Sequence, residues 1–190
     1  MYRVSNIKER ILDIAESLIM NRGYNGFSYK HISSELNVKN AAIHYHFPSK
    51  KDLGVAVIQR AQARFREWDA IAEKSGLSPV DMLNQSLETY LDYLNSGKYV
   101  CLGGSLETDF HTFPEEMQNE IRIYVAEILT WMRNVLSRGR EQGLFSFSGP
   151  SENKAFYIIA CVQGALQMAG VSDKNLFHST VDKLMSELAI

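Results

Sequence analysis

Cysteine and long apolar runs are scarce in this sequence. The 190 residues include two cysteines, Cys101 and Cys161, which are too few for a disulfide framework and are not paired in a C-x-x-C zinc motif. No uninterrupted apolar run reaches the roughly 20 residues that span a bilayer, and the first residues, MYRVSNIKER, contain no apolar signal core. The sequence therefore predicts a cytoplasmic protein without a membrane partner, metal or cofactor.

Residues arranged for catalysis are also missing. His44 and His46 diverge on a helix, and the three other histidines, His31, His111 and His178, lie in separate segments without metal-ligand spacing. The chain contains no glycine-rich phosphate loop after a strand and no G-x-S-x-G elbow. We therefore predict that the protein is not an enzyme.

Positive charge is concentrated at the N-terminal end. Residues 1–50 contain seven Lys or Arg and four Asp or Glu, a net charge of +3, and the whole-chain charge of −2 leaves −5 for the remainder. A basic end on an otherwise acidic chain indicates the part that binds nucleic acid. We predict a DNA-binding domain over residues 1–50, a linking helix over 50–74 and a second domain over 75–190.

Helical periodicity runs through the whole chain, and no strand-like alternation of useful length interrupts it. The sequence predicts an all-α fold, with a first helix that ends near Gly23. Between residues 98 and 113 the pair Gly103-Gly104 should fray a helix, so a short helix is expected at 105–111. Further helices are predicted near 79–96, 114–142, 152–169 and 173–188.

The stretch 23–53 is typical of a helix-turn-helix followed by a capped third helix. Ser28 is a candidate N-cap, and Asn37 tolerates the left-handed conformation that ends a helix. The next helix, about 39–46, has one apolar anchoring side and an outward flank of small, amide and aromatic residues, which suits the major groove. Ser49 and Asp52 then form an S-x-x-D capping box.

These residues resemble the N-terminal domain of the TetR family of bacterial transcriptional repressors. The similarity covers residues 5–65, including Gly23-Tyr24, Phe27-Ser28 and the run from Ile43 to Phe47. It implies three N-terminal helices and a C-terminal six-helix domain for ligand binding and dimerisation. Two departures are Asn37 in place of a turn glycine and His44 in place of the first aromatic of a Tyr-Tyr pair.

The resemblance also implies which residues contact an operator in double-stranded DNA. Lys50 matches a phosphate-binding lysine of the family, and Tyr45 matches a phosphate-binding aromatic residue. Contacts at or near the bases are implied for Tyr29, Lys30, Lys39, Asn40, Ala41, Ala42 and His44. A generic three-helix bundle with a solvated basic face is the alternative interpretation of the same residues.

The last two predicted helices carry more apolar surface than one contact face requires. Small residues such as Ala160 and Gly164 let helices approach closely, so a second copy could complete a four-helix bundle. A dimer would place two recognition helices about 34–36 Å apart on a palindrome. The alternative is that these residues pack in the hydrophobic core of a single chain. The predicted homodimer interface is Phe156, Ile159, Ala160, Gln163, Gly164, Gln167, Phe177, Val181 and Leu184.

The middle helices are rich in aromatic and sulfur-containing residues, which suit a pocket for a small apolar or aromatic effector. Plain core packing accounts for the same pattern, and the family resemblance favours a pocket. The predicted effector residues are Trp68, Tyr93, Cys101, Phe110, Met117, Tyr124, Trp131 and Met168.

Cys101 is also a candidate electrophile sensor. It lies beside Lys98 in a glycine-softened stretch that partly resembles the Gly-Cys-Leu-x-x-Asn setting of a thiol-responsive TetR subgroup, and a nearby lysine can make a thiol reactive. A buried structural cysteine is the simpler alternative. Two other functions stay open: a helical carrier of small molecules, and a thiol-dependent enzyme in which Glu107 or His111 is the base.

Overall fold

The computed structural model describes residues 7–188, and this range contains nine α-helices, two 3₁₀ turns and no strand. The predicted all-α fold is therefore confirmed. The 3₁₀ turns are Tyr24–Gly26 and Phe110–Thr112. The helices are α1 (Ile7–Arg22), α2 (Tyr29–Leu36), α3 (Asn40–His46), α4 (Lys50–Lys74), α5 (Pro79–Asn95), α6 (Leu102–Thr108), α7 (Glu115–Glu141), α8 (Ser151–Val171) and α9 (Asn175–Leu188).

Local capping bonds determine where two of the long helices begin. At the start of α4, Oδ2 of Asp52 accepts from the backbone N–H of Ser49 at 2.9 Å and from its hydroxyl at 2.8 Å. At the start of α5, the Ser78 hydroxyl accepts from the N–H of Asp81 at 3.1 Å, and Pro79 occupies the first helical position. The bonds from the Ser49 and Asp81 N–H groups satisfy backbone donors that the helix itself leaves unpaired.

Helix α6 differs from its prediction. It begins at Leu102 and includes Gly103 and Gly104, whereas the helix was expected at 105–111. Both glycines are buried where α6 packs against α1, and the Ser105 hydroxyl donates to the carbonyl of Ile19 at 2.8 Å. Burial and this bond outweigh the low helix propensity of glycine.

Packing divides the chain into two compact units. The first consists of the described residues up to Phe65 together with Leu102–Tyr124, and the second of Arg66–Cys101 together with the residues from Val125 onward. Helices α4 and α7 therefore each contribute to both units. These ranges describe packing and differ from the predicted functional domains 1–50 and 75–190, whose boundaries stay a prediction.

The core of the first unit forms a rigid base for α2 and α3. Arg60 of α4 donates to Asp13 at 2.7 Å and to Glu16 at 2.8 Å, both on α1. The fully buried side chains come from all of the first four helices and include Ile11, Ile19, Ile32, Ile43 and Leu53. Helices α2 and α3 are therefore held by a packed interior and by ion pairs between their neighbours.

In the second unit, α8 packs against α9 and α5. Ile158, Val162 and Leu166 of α8 are buried. They recur every four residues, so they occupy one side of the helix. Phe156 and Val171 of the same helix are exposed, so α8 is covered unevenly within its own chain.

Candidate nucleic-acid interface and assembly face

A histidine holds the start of α2. Ser28 is the N-cap residue, as predicted, and its backbone N–H donates to Nδ1 of His31 at 2.9 Å. Because that nitrogen accepts, it carries no hydrogen in this arrangement. His31 thus occupies the position that Glu or Gln takes in a capping box. The usual sequence pattern does not include histidine and so does not predict this bond.

Asn37 makes the turn between α2 and α3. Its φ of 54° and ψ of 47° lie in the left-handed region, which asparagine tolerates better than most residues. The backbone N–H of Val38 then donates to the carbonyl of Ser33 at 2.9 Å. Ile43, with no exposed surface, and Phe47, with 3%, anchor α3 to the core. The predicted helix-turn-helix is confirmed.

The other side of α3 faces solvent. Tyr45 is 84% exposed, although it is a large aromatic residue. Ala42 is half-buried, and the remaining predicted contacts on the exposed side of α2 and α3 are Lys30, Lys39, Asn40, Ala41 and His44. Cationic, amide and small side chains on one helix flank are suited to a major groove and its phosphates. Their contact with DNA stays a prediction.

Asn40 is held in one orientation by α2. The hydroxyl of Ser33 donates to Oδ1 of Asn40 at 2.5 Å. The amide NH₂ is the part of this side chain that remains to donate outward. A hydrogen bond that fixes one end of an amide limits which base edge the other end can read.

Tyr29 is placed differently from what the family resemblance implied. It is 8% exposed, and its hydroxyl donates to the carbonyl of Phe47 at 2.8 Å. Burial, with a smaller contribution from the negative charge of Asp52, raises the pKa of Tyr29. The hydroxyl therefore joins α2 to the end of α3, and the structure favours support of α3 over contact with a base.

Lys50 also makes contacts inside the first unit. Its ammonium donates to the carbonyl of Phe27 at 2.5 Å and lies 4.5 Å from the ring centre of Tyr24 and 4.4 Å from that of Phe27. Burial lowers the pKa of this ammonium. Lys51 of the same turn bonds Glu116 at 2.7 Å. The structure thus gives Lys50 an internal role, and its predicted phosphate contact is untested.

An apolar face of α8 is exposed in the second unit. Phe156 is 65% exposed and Val171 is 90% exposed. The residues between them on that face include Ala160 and Gln167, which are exposed, and Ile159, Gln163 and Gly164, which are half-buried. A Cβ atom added to Gly164 would have no neighbour within 4 Å. We call this surface, from Phe156 to Val171, the α8 strip.

Two predicted interface residues lie elsewhere. Phe177 of α9 has no exposed surface and Leu184 has 3%, so both pack in the core of their own chain. Their apolar character belongs to the buried side of α9, which sequence alone does not distinguish from an interface side. Val181 is half-buried and remains compatible with the predicted interface.

The α8 helix is the one helix among the described residues that is long and apolar enough to cross a bilayer by length and composition alone. This is weak evidence for a membrane segment, because core helices of other proteins pass the same test. Its most apolar 18-residue window is 28% buried. The helix therefore combines a core side with the uncovered α8 strip.

The predicted effector residues do not gather in one unit. Trp68 and Trp131 are neighbours in the second unit, with ring centres 5.1 Å apart in an edge-to-face arrangement. Tyr93, Cys101 and Met168 belong to the same unit, whereas Phe110, Met117 and Tyr124 belong to the first. Among these eight residues, the tryptophan pair is the clearest aromatic cluster that the structure shows.

Three of the predicted effector residues differ in how far they are buried. Met117 is fully buried, and its sulfur and methyl group fill the space beside Gly54. Cys101 is 8% exposed, whereas Cys161 is half-buried, and burial among apolar groups opposes thiol reactivity. Met168 is 60% exposed on α8, so it does not line an interior pocket of the chain.

The second unit also contains a groove of about 350 Å³ between α7 and α8. None of the eight predicted effector residues lines it, whereas Phe156 of the α8 strip does. Its other lining residues are Leu129, Thr130, Arg133, Glu152 and Asn153. Residues 7–188 contain no cluster of three or more His, Cys, Asp or Glu arranged as metal ligands.

Comparison with known proteins agrees with this architecture. The family model described as bacterial regulatory proteins, tetR family, matches residues 11–57. The crystal structure of a TetR transcriptional regulator from Legionella pneumophila is 34% identical, with a TM-score of 0.87, and the match covers 98% of this chain and 100% of that one.

Two curated relatives are similar over most of their length. An uncharacterized HTH-type transcriptional regulator in the lacX 3'region of Lactococcus lactis subsp. lactis is 28% identical over 198 residues, which cover 97% of this chain and 94% of that protein. The HTH-type transcriptional repressor NemR of Escherichia coli (strain K12) is 22% identical over 168 residues, or 87% and 84% of the two chains. The chain belongs to the TetR family of bacterial transcriptional regulators.

Proposed function

We propose that this regulator is a cytoplasmic repressor that binds a palindromic operator as a homodimer and is released by a small effector. The observation that carries the proposal is the outward flank of α3, where Lys39, Asn40 and Tyr45 are exposed on a helix anchored by buried Ile43. Repression is proposed because the relative NemR is named a repressor. A carrier protein does not need an exposed aromatic and lysine on a short helix.

The α8 strip supports the dimer. It exposes apolar surface over a length of four helical turns, from Phe156 to Val171, and exposed apolar surface of this extent is typical of an interface. Gly164 has open space beside it, which lets a partner helix approach closely. A second copy would bury the same strip and complete a symmetric four-helix contact.

The effector is proposed to be a small apolar, aromatic or electrophilic molecule. The Trp68–Trp131 pair supports the aromatic class, and Tyr93 and Cys101 remain candidates in the same unit. Phe110, Met117 and Tyr124 are candidates that reside in the first unit. Whatever its identity, the effector must bind the DNA-free state more tightly than the operator-bound state, because equal affinity changes no equilibrium.

Selection of a binding site tests the central proposal. The full-length protein would be used to recover duplexes from a random-sequence pool, and the selected duplex would then be titrated by fluorescence anisotropy. We expect a palindrome with half-sites about one helical turn apart and two chains per duplex. Failure to enrich any sequence, with retained affinity for apolar dyes, would instead support the carrier function.

An effector screen tests the release step. Small apolar compounds and mild electrophiles would be screened by thermal shift, and the compounds that raise the melting temperature would be tested for release of the selected duplex. The matched variants are Cys101→Ser and Cys161→Ser. If an electrophile acts at Cys101, only the first variant resists release. If both variants release DNA like the parent, the effector binds reversibly and Cys101 is a packing residue.

A further inference from the structure

The imidazole of His44 has a defined orientation on α3. Its Nδ1 lies 3.2 Å from the carbonyl oxygen of Pro48, and its ring packs edge-on against that of Tyr29, with the ring centres 4.7 Å apart. A carbonyl oxygen only accepts hydrogen bonds, so Nδ1 must carry the proton of this pair. In the neutral ring, Nε2 then has a lone pair and no hydrogen.

While the Pro48 bond is kept, this tautomer limits what the exposed histidine can bind. A DNA phosphate offers only acceptor oxygens, so the lone pair of a neutral Nε2 cannot bond with it. An imidazolium carries hydrogen on both nitrogens and can keep the Pro48 bond while it donates from Nε2 to a phosphate. His44 lies in the last turn of α3, and the bases are read mainly from the N-terminal end of a recognition helix. The last turn is therefore suited to the backbone.

We propose that His44 binds a DNA phosphate as an imidazolium, and that each protomer takes up a proton at this residue when it binds its operator. The inference rests on the proposed operator binding. Tyr29 is the titratable group that faces the ring from α2, and Asp52 of α4 acts electrostatically on that phenol. In the described chain no carboxylate forms an ion pair with His44, so the phosphate supplies the anion that stabilises the added charge.

The two other histidines of this region provide contrasts. His31 uses Nδ1 to accept the Ser28 N–H, so its ring serves the start of α2. His46 is half-buried and packs beside the ring of Tyr45, with the ring centres 5.1 Å apart. Variants of these residues therefore act as controls for a pH effect assigned to His44.

The pH dependence of operator affinity tests the proposal. Affinity for the selected duplex would be measured at constant ionic strength between about pH 5.5 and 8, the range in which histidine changes charge. We expect affinity to be highest and constant at the acidic end, where the ring is already charged. It should fall as the pH rises, by up to about tenfold per pH unit for each proton taken up.

Three variants identify the residue responsible. His44→Tyr replaces the imidazolium with a neutral hydroxyl donor, so it should keep the affinity near neutral pH and lose the pH dependence. His44→Phe should lose both, and His46→Gln should keep the parental pH dependence. Calorimetry of the parent in buffers of different ionisation enthalpy should show proton uptake that is absent in His44→Tyr, and melting curves should show that each variant folds.

Two results would overturn the proposal: parental affinity that does not vary with pH, or a pH dependence that survives in His44→Tyr. Absence of sequence-specific binding at every pH would instead refute the proposed operator function on which the inference rests. Binding that is specific but independent of pH leaves that function intact and removes only the role of His44.

Discussion

The polar side chains near the helix-turn-helix divide into those that face solvent and those that bond inside the first unit. Asn40 and Tyr45 face outward, as the helical pattern predicts, whereas the hydroxyl of Tyr29 and the ammonium of Lys50 bond backbone carbonyls. Periodicity assigns a residue to a helix face. It does not show whether a long side chain folds back onto a neighbouring carbonyl, which is why these two positions were not distinguished in sequence.

Lys50→Met should leave the salt dependence of operator binding unchanged. The ammonium bonds the Phe27 carbonyl and lies against two aromatic rings, so its loss should lower the free energy of unfolding by about 1–2 kcal/mol. The matched variant Lys39→Met removes an exposed charge and should reduce the slope of log affinity against log salt by about 0.9 for each phosphate that the lysine neutralises. Equal flattening in the Lys50 variant would show that Lys50 binds phosphate instead.

Asn40→Ala should relax sequence preference at one operator position, by about 1–3 kcal/mol of discrimination. Stability should change little, because the Ser33 hydroxyl also lies 3.2 Å from the carbonyl of Lys30 and keeps an acceptor there. Anisotropy titrations against duplexes with single base-pair changes measure the preference. Ser33→Ala is the companion variant, because it keeps the amide of Asn40 but removes the hydroxyl that orients it. A uniform loss of affinity for all duplexes in Asn40→Ala would argue against base reading.

At the scale of helices, capping signals predicted the fold well, whereas the glycine pair Gly103-Gly104 predicted α6 poorly. Ser49 with Asp52 begins α4 at the capping box that the sequence predicts, and the Ser78 cap begins α5 at the predicted start near residue 79, because a cap is a local bond. Gly103 and Gly104 were expected to fray a helix, and they lie inside α6 because α6 packs against α1. Distant packing of this kind leaves no local signal in the sequence.

Gly139→Ala should destabilise the protein, although alanine is the better helix former. A Cβ atom at Gly139 would overlap the ring of Phe145, which is buried. Overpacking of this kind costs about 1–3 kcal/mol, which outweighs the gain of about 1 kcal/mol in helix propensity. In a Phe145→Ala background the same substitution should cost little. Urea unfolding of the parent, the two single variants and the double variant then measures the coupling free energy between the two positions. An equal cost in both backgrounds would place the constraint elsewhere.

For the whole molecule, the decisive feature is an apolar helix that one chain covers on only one side. Sequence predicted that α8 and α9 carry excess apolar surface, and the structure separates its two sources. Phe177 and Leu184 belong to the core of the chain, whereas Phe156, Ala160 and Val171 remain exposed on the α8 strip. Apolar composition alone could not make that separation, because it does not show which side of a helix packs into the core of its own chain.

Gly164→Leu should convert the dimer to a folded monomer. The space beside Gly164 is open within its own chain, so the added side chain clashes with nothing there, and leucine also has the higher helix propensity. In a dimer joined through the α8 strip, the same side chain would force the partner helix away. Sedimentation should therefore show a monomer that retains its helical circular dichroism but has lost most of its operator affinity, because one protomer reads only one half-site.

Glu88→Leu, on the exposed side of α5, adds similar bulk elsewhere and should remain a dimer. A Gly164→Leu protein that still sediments as a tight dimer would place the interface on another surface.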